Sequence, residues 1–480
     1  MDFASIVLFL FIYYIRPQEW IELFAKMQPV KLVMLFSMFA TFMRHRGLGP
    51  KDFFKTPHDW IMAAYIGWAI WHGGGLTYMF MEYLKYIVFY WIIVIVLTDM
   101  TKIQLFLNWW TLMILLVAAL AVSSPYFWDP THSKYYTEAY YKGRLVLRMS
   151  IFENPNALGH AVVPVVPMLY YLFLWQRPLF VKEIALVVMA LPIWCLYLTY
   201  SKGSYLSGGL TLMAGVLFGR PKVVQIAIII FSMTAGVSIV KSLPRMDELS
   251  SSEGGIQGRL AAWGYGYERM HNGPIGWQNF VDNFAAEHGY RKASHSAYVQ
   301  IGAEFGKWGL FLFIAIFYST MRTILFVNTK SLEEERIRRM LFVLSVSFFM
   351  SSWVIDFATR STLFMIPACV AAFHRQLLKR HERDVAKAKE DLKQFEENPD
   401  EWNGWADLGL QDPSTAARSA GYTERIAKNN QKLALESLKA KVNEPSPIHW
   451  PKVNAVDFIV VFLVTRQSIW LWGKVLEGNF

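Results

Sequence analysis

Several short stretches of the chain carry residues whose types and spacing suit chemistry on an anion. In ASHSAYVQIGAEFGKWGL, residues 293 to 310, His295 and Ser296 stand just ahead of an apolar run carrying Gly302, Gly306 and Gly309. With a helical advance of about 100° per residue, Val299 and the three glycines fall within roughly 40° of the histidine's direction. Gly302 and Gly306 form a G-x-x-x-G, the spacing that lets a second membrane helix approach closely. The expectation is one glycine face turned into a helix bundle, with His295 at its outer mouth. Glu304 falls on the other side of that helix and reads as a structural carboxylate. The alternative for His295 is a cap on a packing helix.

Arg259 and Trp263, four apart, open the stretch GRLAAWGYGYERMHNGPIGW, a short amphipathic helix ended by Asn272-Gly273-Pro274. A guanidinium held by that tryptophan is placed to meet phosphate oxygens with two parallel hydrogen bonds. Three further polar clusters are read on the same face: Pro155 and Asn156 in IFENPNALGH, Lys202 in TYSKGSYLSG, and Asp356 with Arg360. Each has a structural alternative. Asn156 suits a helix cap, Lys202 a lipid-facing lysine, and Asp356 with Arg360 an intrahelical ion pair. Ionisable residues at membrane ends usually face a cavity or a partner, and their convergence on one face favours a site.

The elements that must position these residues are membrane helices. Hydrophobic residues make up 54% of the chain and charged ones 18%, and the apolar residues gather in repeated long runs. The expected fold is all-α, a polytopic membrane protein of about twelve transmembrane helices. The spans are placed near 3–15, 29–43, 60–72, 79–98, 103–122, 157–175, 181–200, 204–219, 222–240, 297–326, 339–358 and 361–375. The first is read as a retained span, since MDFASIVLFLFIYYIRP has no basic leader region. Cys195 and Cys369 both lie in apolar runs and suggest neither a disulfide nor a metal site.

Basic connections such as RHRGLGPKDFFK, QRPLFVK, GRPK and TKSLEEERIRR set the orientation, because Lys and Arg are kept on the cytoplasmic side. Both termini are then expected inside and two long loops, 123–156 and 242–295, outside, the second lying between spans nine and ten. The net charge of +10 is read as topology and anionic lipid contact rather than nucleic-acid binding. The bundle is assigned to 1–376 and a partly helical cytoplasmic tail to 377–480. That tail ends in AVDFIVVFLVTRQSIWLWG, which Arg466 and Gln467 interrupt; it reads as an amphipathic segment on the membrane surface, with a thirteenth span as the alternative.

The G-R-x-x-x-W helix from Gly258, the turn Pro274-Ile275-Gly276-Trp277 and the long outer loop resemble the bacterial O-antigen ligase and O-antigen polymerase superfamily. The ligase pattern H-[NSQ]-x9-G-x2-[GTN] is met by His295, Ser296, Gly306 and Gly309. The family's N-P-N matches Asn154-Pro155-Asn156, and its S-R-G turn matches Ser201-Lys202-Gly203, where lysine keeps the charge but loses the fork. The resemblance covers about 60–375 and is most specific over 255–310.

The resemblance implies a membrane glycosyltransferase of the bacterial inner membrane, its site facing the periplasm. It would move a glycan from undecaprenyl pyrophosphate to an acceptor glycan or glycolipid. His295 would take the acceptor's proton, and Arg259, Lys202 and Arg360 would bind the pyrophosphate, supported by Ser296, Asn156, Trp263 and the three glycines. No cofactor, metal or nucleic acid is expected. A polymerase joining lipid-linked repeat units is the first alternative, and an anion or inorganic carbon transporter the second; the latter would call for inverted repeats or broken helices at mid-membrane.

Overall fold

The computed structural model describes residues 2–73, 76–126, 140–236, 238, 242–246, 254–356, 360–399, 402–410, 424–448 and 451–478. The stretches 127–139 and 247–253 of the two long loops lie outside the described residues. Helices account for nearly all the regular structure, and one two-stranded hairpin, β1 (Tyr140–Tyr141) and β2 (Arg144–Leu145), is present among the described residues. The longer helices are α1 (Asp2–Ile15), α2 (Pro29–Arg44), α3 (Pro57–His72), α4 (Leu76–Val96), α5 (Met100–Ser123) and α6 (Pro155–Leu174). After them come α7 (Leu179–Leu198), α8 (Lys202–Leu217), α9 (Lys222–Phe231), α10 (Gly254–Asn272), α11 (Phe280–His288) and α12 (Ala297–Phe326). The last four are α13 (Leu332–Val354), α14 (Thr362–Glu397), α15 (Glu424–Val442) and α16 (Ala455–Leu476).

A helix lies at each expected span. Five of them, α5, α6, α7, α12 and α13, together with the tail helix α16, are the helices among the described residues long and apolar enough to cross a membrane. Their starts follow local chemistry. Asn154, Ser201 and Ser331 cap α6, α8 and α13 by accepting from backbone N–H groups of the first turn, and proline follows the cap at Pro155. Asn454 and Asp457 form a reciprocal capping box at the start of α16, with bonds of 2.9 and 3.0 Å.

Two compact units are present. The first comprises 1–325, 329–373 and 452–480, and the second 326–328 with 374–451. The second has its own small core, in which Phe395, Trp402 and Trp405 meet edge to face beside Ala434 and Leu438. The last helix, α16, belongs to the first unit. Its Asp457 takes a hydrogen bond from the Tyr318 hydroxyl at 2.9 Å and pairs with Arg322, both near the end of α12.

The α12 helix is not one continuous rod. Gly306 has φ 71° and ψ −171°, a conformation open to glycine alone, so the helix ends before it and restarts after it. Carbonyls freed at the break are taken up by new donors. Ile275 and Gly276 N–H bond to Ala303 and Glu304 O at 3.0 and 3.1 Å, and the Trp68 indole bonds to Phe305 O at 3.0 Å. The expected glycine face does not survive, because a helical wheel assumes an unbroken axis. A side chain on Gly302 would meet Met270 and Trp472, on Gly306 Pro274, and on Gly309 Phe305 and Trp68.

Candidate active site

His295 sits in the short turn that leads into α12, half-buried between two buried serines. Its φ is 50°, the left-handed region, which histidine tolerates better than a branched residue but not freely. The neighbours hold it there. Ser294 Oγ donates to Ser296 O at 3.1 Å, and Ser296 O accepts the Gln300 N–H at 3.0 Å in the first turn of α12. The Trp263 indole N–H donates to Ser294 O at 2.9 Å. Trp263, expected to hold Arg259, fixes with this hydrogen bond the chain one residue before His295. Ser296 Oγ is buried and makes no hydrogen bond among the described residues.

The N-P-N and S-K-G stretches meet at a second cluster. Asn154, not Asn156, caps α6, its Oδ1 accepting from Asn156 N at 2.8 Å. That leaves the Asn156 side chain to bridge. Its Oδ1 accepts from Ser201 Oγ at 2.8 Å and from an Arg144 guanidinium N–H at 2.7 Å, and Arg144 Nε donates to Thr199 O at 2.9 Å. Burial and the nearby Arg245 push the Arg144 guanidinium down to about 10, still charged at neutral pH. Close packing makes this junction possible. A side chain on Gly159 would fall 2.5 Å from Ser204 Oγ, and one on Gly203 would lie 3.2 Å from His160 Nε2.

His160 therefore lies against the turn that carries Lys202, and its Nδ1 is hydrogen-bonded to Ser351 Oγ of α13 at 2.8 Å. One cavity is lined by His160, Ser351 and Arg360, over a floor that includes Trp110 and Phe348. Arg259 acts electrostatically on both His160 and His295, and so joins the two clusters. The His295 imidazole is pushed down to about 4, first by burial, which disfavours the charged ring, then by Arg259 and Lys292. It is neutral at any pH near 7. Arg259, Lys202 and Arg360 are all half-buried and keep part of their surface open.

The structure thus links His295, Trp263 and Arg259 on one side, and Asn156, Lys202 and Arg360 with His160 on the other. The glycines are not a common wall. His160 and Arg144 join these clusters although the sequence reading does not name them. The spacing of four between Asn156 and His160 puts both on one face of α6, which is signal enough for the first. No local pattern marks Arg144, which reaches Asn156 from the β1–β2 hairpin ahead of α6.

Arg259, Trp263, Lys202, His295, Ser296 and the three glycines all lie within one stretch that has a known counterpart. Residues 185–314 match the O-antigen ligase family. Neither a curated protein nor a solved structure matches the chain. The O-antigen ligase segment runs from α7 through the break in α12, so it holds the histidine turn and the helix that pins it. Asn156, His160, Arg144 and Arg360 lie outside the match and join it through the hydrogen bonds and the shared cavity described above. The match and the apolar helices make this a multi-pass membrane protein with an O-antigen ligase-like domain.

Proposed function

We propose that the protein transfers a glycan from a polyprenyl pyrophosphate, undecaprenyl pyrophosphate in bacteria, to a hydroxyl acceptor at the periplasmic face of the inner membrane. The observation that carries this reading is a neutral histidine, pinned through Trp263 and Ser294, beside Arg259 inside the O-antigen ligase segment. A doubly anionic pyrophosphate at headgroup depth needs fixed cations, and Arg259, Lys202 and Arg360 supply them. The acceptor hydroxyl attacks the anomeric carbon, and the bond to the pyrophosphate oxygen breaks with its electron pair leaving on that oxygen. His295 receives the hydroxyl proton.

The low basicity of His295 keeps the ring neutral and able to accept a proton. Burial first, then Arg259 and Lys292, hold the proton off the ring, and a bound pyrophosphate would offset only the part due to the two cations. The full fit of His295, Ser296, Gly306 and Gly309 to the ligase pattern favours a ligase acting on an acceptor glycan or glycolipid. The decisive experiment is His295→Ala in membranes containing the native lipid-linked glycan. Transfer is expected to stop while the variant keeps wild-type expression, melting temperature and affinity for undecaprenyl pyrophosphate. Wild-type transfer by this variant, or loss only through unfolding, would make His295 a structural cap.

A further inference from the structure

The last helix carries two features that the glycan-transfer site leaves unexplained. Arg466 and Gln467 interrupt its apolar run, and both are exposed on the helix surface. An arginine exposed on a lipid-facing helix is costly unless it reaches water or an anion. Lys307 is likewise exposed, on α12 immediately past the break at Gly306. Neither cation forms an ion pair among the described residues.

The two cations come together in the cleft between α12 and α16. Lys307, Arg466 and His271 line one crevice with Phe311, Phe462 and Ile469. Contacts close the cleft on either side of it. Trp472 lies on Gly302 towards the start of α12, and Asp457 pairs with Arg322 near its end. Trp308, 53% exposed, lines the same crevice beside the cations. Cations beside an apolar wall match an amphiphile, its anionic head on Lys307 and Arg466 and its hydrocarbon chain on the aromatic and aliphatic side chains. A free phosphate would meet the cations but leave the aromatic and aliphatic walls unmatched.

We propose that this crevice binds one anionic phospholipid, its phosphate between Lys307 and Arg466 and its first chain carbons against Phe311, Phe462 and Ile469. The lipid fills the cleft and holds α16 to α12. The site shares no residue with the glycan-transfer site, and it stands whether or not that reading does.

Native mass spectrometry of the full chain in dodecyl maltoside, titrated with phosphatidylglycerol, phosphatidylcholine or inorganic phosphate, tests it. One phosphatidylglycerol is expected to bind at least about tenfold tighter than phosphatidylcholine and to raise the melting temperature. The double variant Lys307→Gln with Arg466→Gln should lose that preference and that rise, while Arg466→Lys keeps most of both. If the double variant fails to fold, Lys307→Gln alone should weaken phosphatidylglycerol binding relative to Arg466→Lys. Equal binding of the two lipids, or binding unchanged by these substitutions, would overturn the proposal. Displacement of the lipid by inorganic phosphate at equal concentration would make it a free-anion site instead.

Discussion

The indole N–H of Trp263 donates to the carbonyl oxygen of Ser294 at 2.9 Å, so the helix that carries Arg259 also holds the residue before His295. The link continues outward, since the Trp472 indole N–H donates to Trp263 O at 3.1 Å. Arg259 and the turn that carries His295 are therefore tied to one helix, and a change in its tilt moves both. Trp263→Phe keeps an aromatic ring but removes the hydrogen bond, a loss of about 1 kcal/mol or roughly fivefold in rate. The loss is expected in kcat, with KM for the lipid-linked donor nearly unchanged because Arg259 stays in place. Steady-state kinetics in membrane vesicles read this directly, and a loss confined to KM would detach Trp263 from His295.

The pH profile follows from the depressed His295 pKa. The neutral ring is the active form, so kcat/KM should stay flat as pH falls through the ordinary histidine value of about 6.5 and drop only near 4. A bound pyrophosphate favours the imidazolium, so the acid limb in kcat should lie above that in kcat/KM. Stability carries the same signature. The unfolded chain takes up the proton first, and the contribution of a neutral His295 is present above about 6.5 and lost as pH falls towards 4. His295→Gln should flatten that part of the melting temperature against pH. An acid limb in kcat/KM at 6.5 would mean that Arg259, Lys292 and burial do not act on the reacting histidine.

Arginine and lysine differ in a way that the donor cations make measurable. Arg259→Lys replaces a planar fork by a point charge and should lose most transfer, raising KM for the donor more than it lowers stability. Lys202→Arg is expected to be tolerated, since the turn is held by Ser201 and Asn156, with a 2.8 Å bond between them, rather than by the lysine. Each variant is compared at equal membrane levels. Full activity in Arg259→Ala would remove that arginine from donor binding.

Much of the fold is legible because apolar runs and prolines are local signals; Pro155 marks the start of α6, although the cap there is Asn154 and not the expected Asn156. The site is legible in its residue types and less so in its geometry. A helical wheel cannot see that Gly306 takes a positive φ, and so merges three glycines that meet different neighbours. Nor can spacing reveal that Trp263 bonds to a backbone 31 residues away. Arg144 joins Asn156 only after a hairpin folds back, which is tertiary information.

The break at Gly306 gives a prediction opposite in cause to close helix packing. A Cβ there would have room, its nearest neighbour being Pro274 Cγ at 3.8 Å, so the penalty is backbone strain of about 1–3 kcal/mol. Gly302 has helical backbone but a tight wall, with Met270 Sδ and Trp472 each 3.2 Å from an added Cβ. Gly306→Ala should therefore lower the melting temperature more than Gly302→Ala, whose neighbours yield by side-chain movement. Gly302→Ala should act chiefly on the Trp472–Trp263 contact, and hence on kcat. The reverse order of melting temperatures would mean that close approach, not the break, is what the second glycine serves.

The last helix sets a topological prediction. Asp457 meets Arg322 near the end of α12 while Trp472 meets Gly302 near its start, so α16 runs antiparallel to α12 along most of its length. If α12 crosses from the His295 side inward, the C-terminal end of α16 lies on the same side as His295, contrary to the expectation that both termini are cytoplasmic. Single cysteines at Ala286, Ser331 and Gly478 test this in intact cells with a membrane-impermeant thiol reagent; both native cysteines are buried. Ala286→Cys and Gly478→Cys are expected to react and Ser331→Cys to react only after lysis. Protection of Gly478→Cys alongside labelling of Ala286→Cys would keep the outward site but lay α16 along the inner surface. Labelling of Ser331→Cys alone would invert the bundle and remove His295 from the periplasmic face.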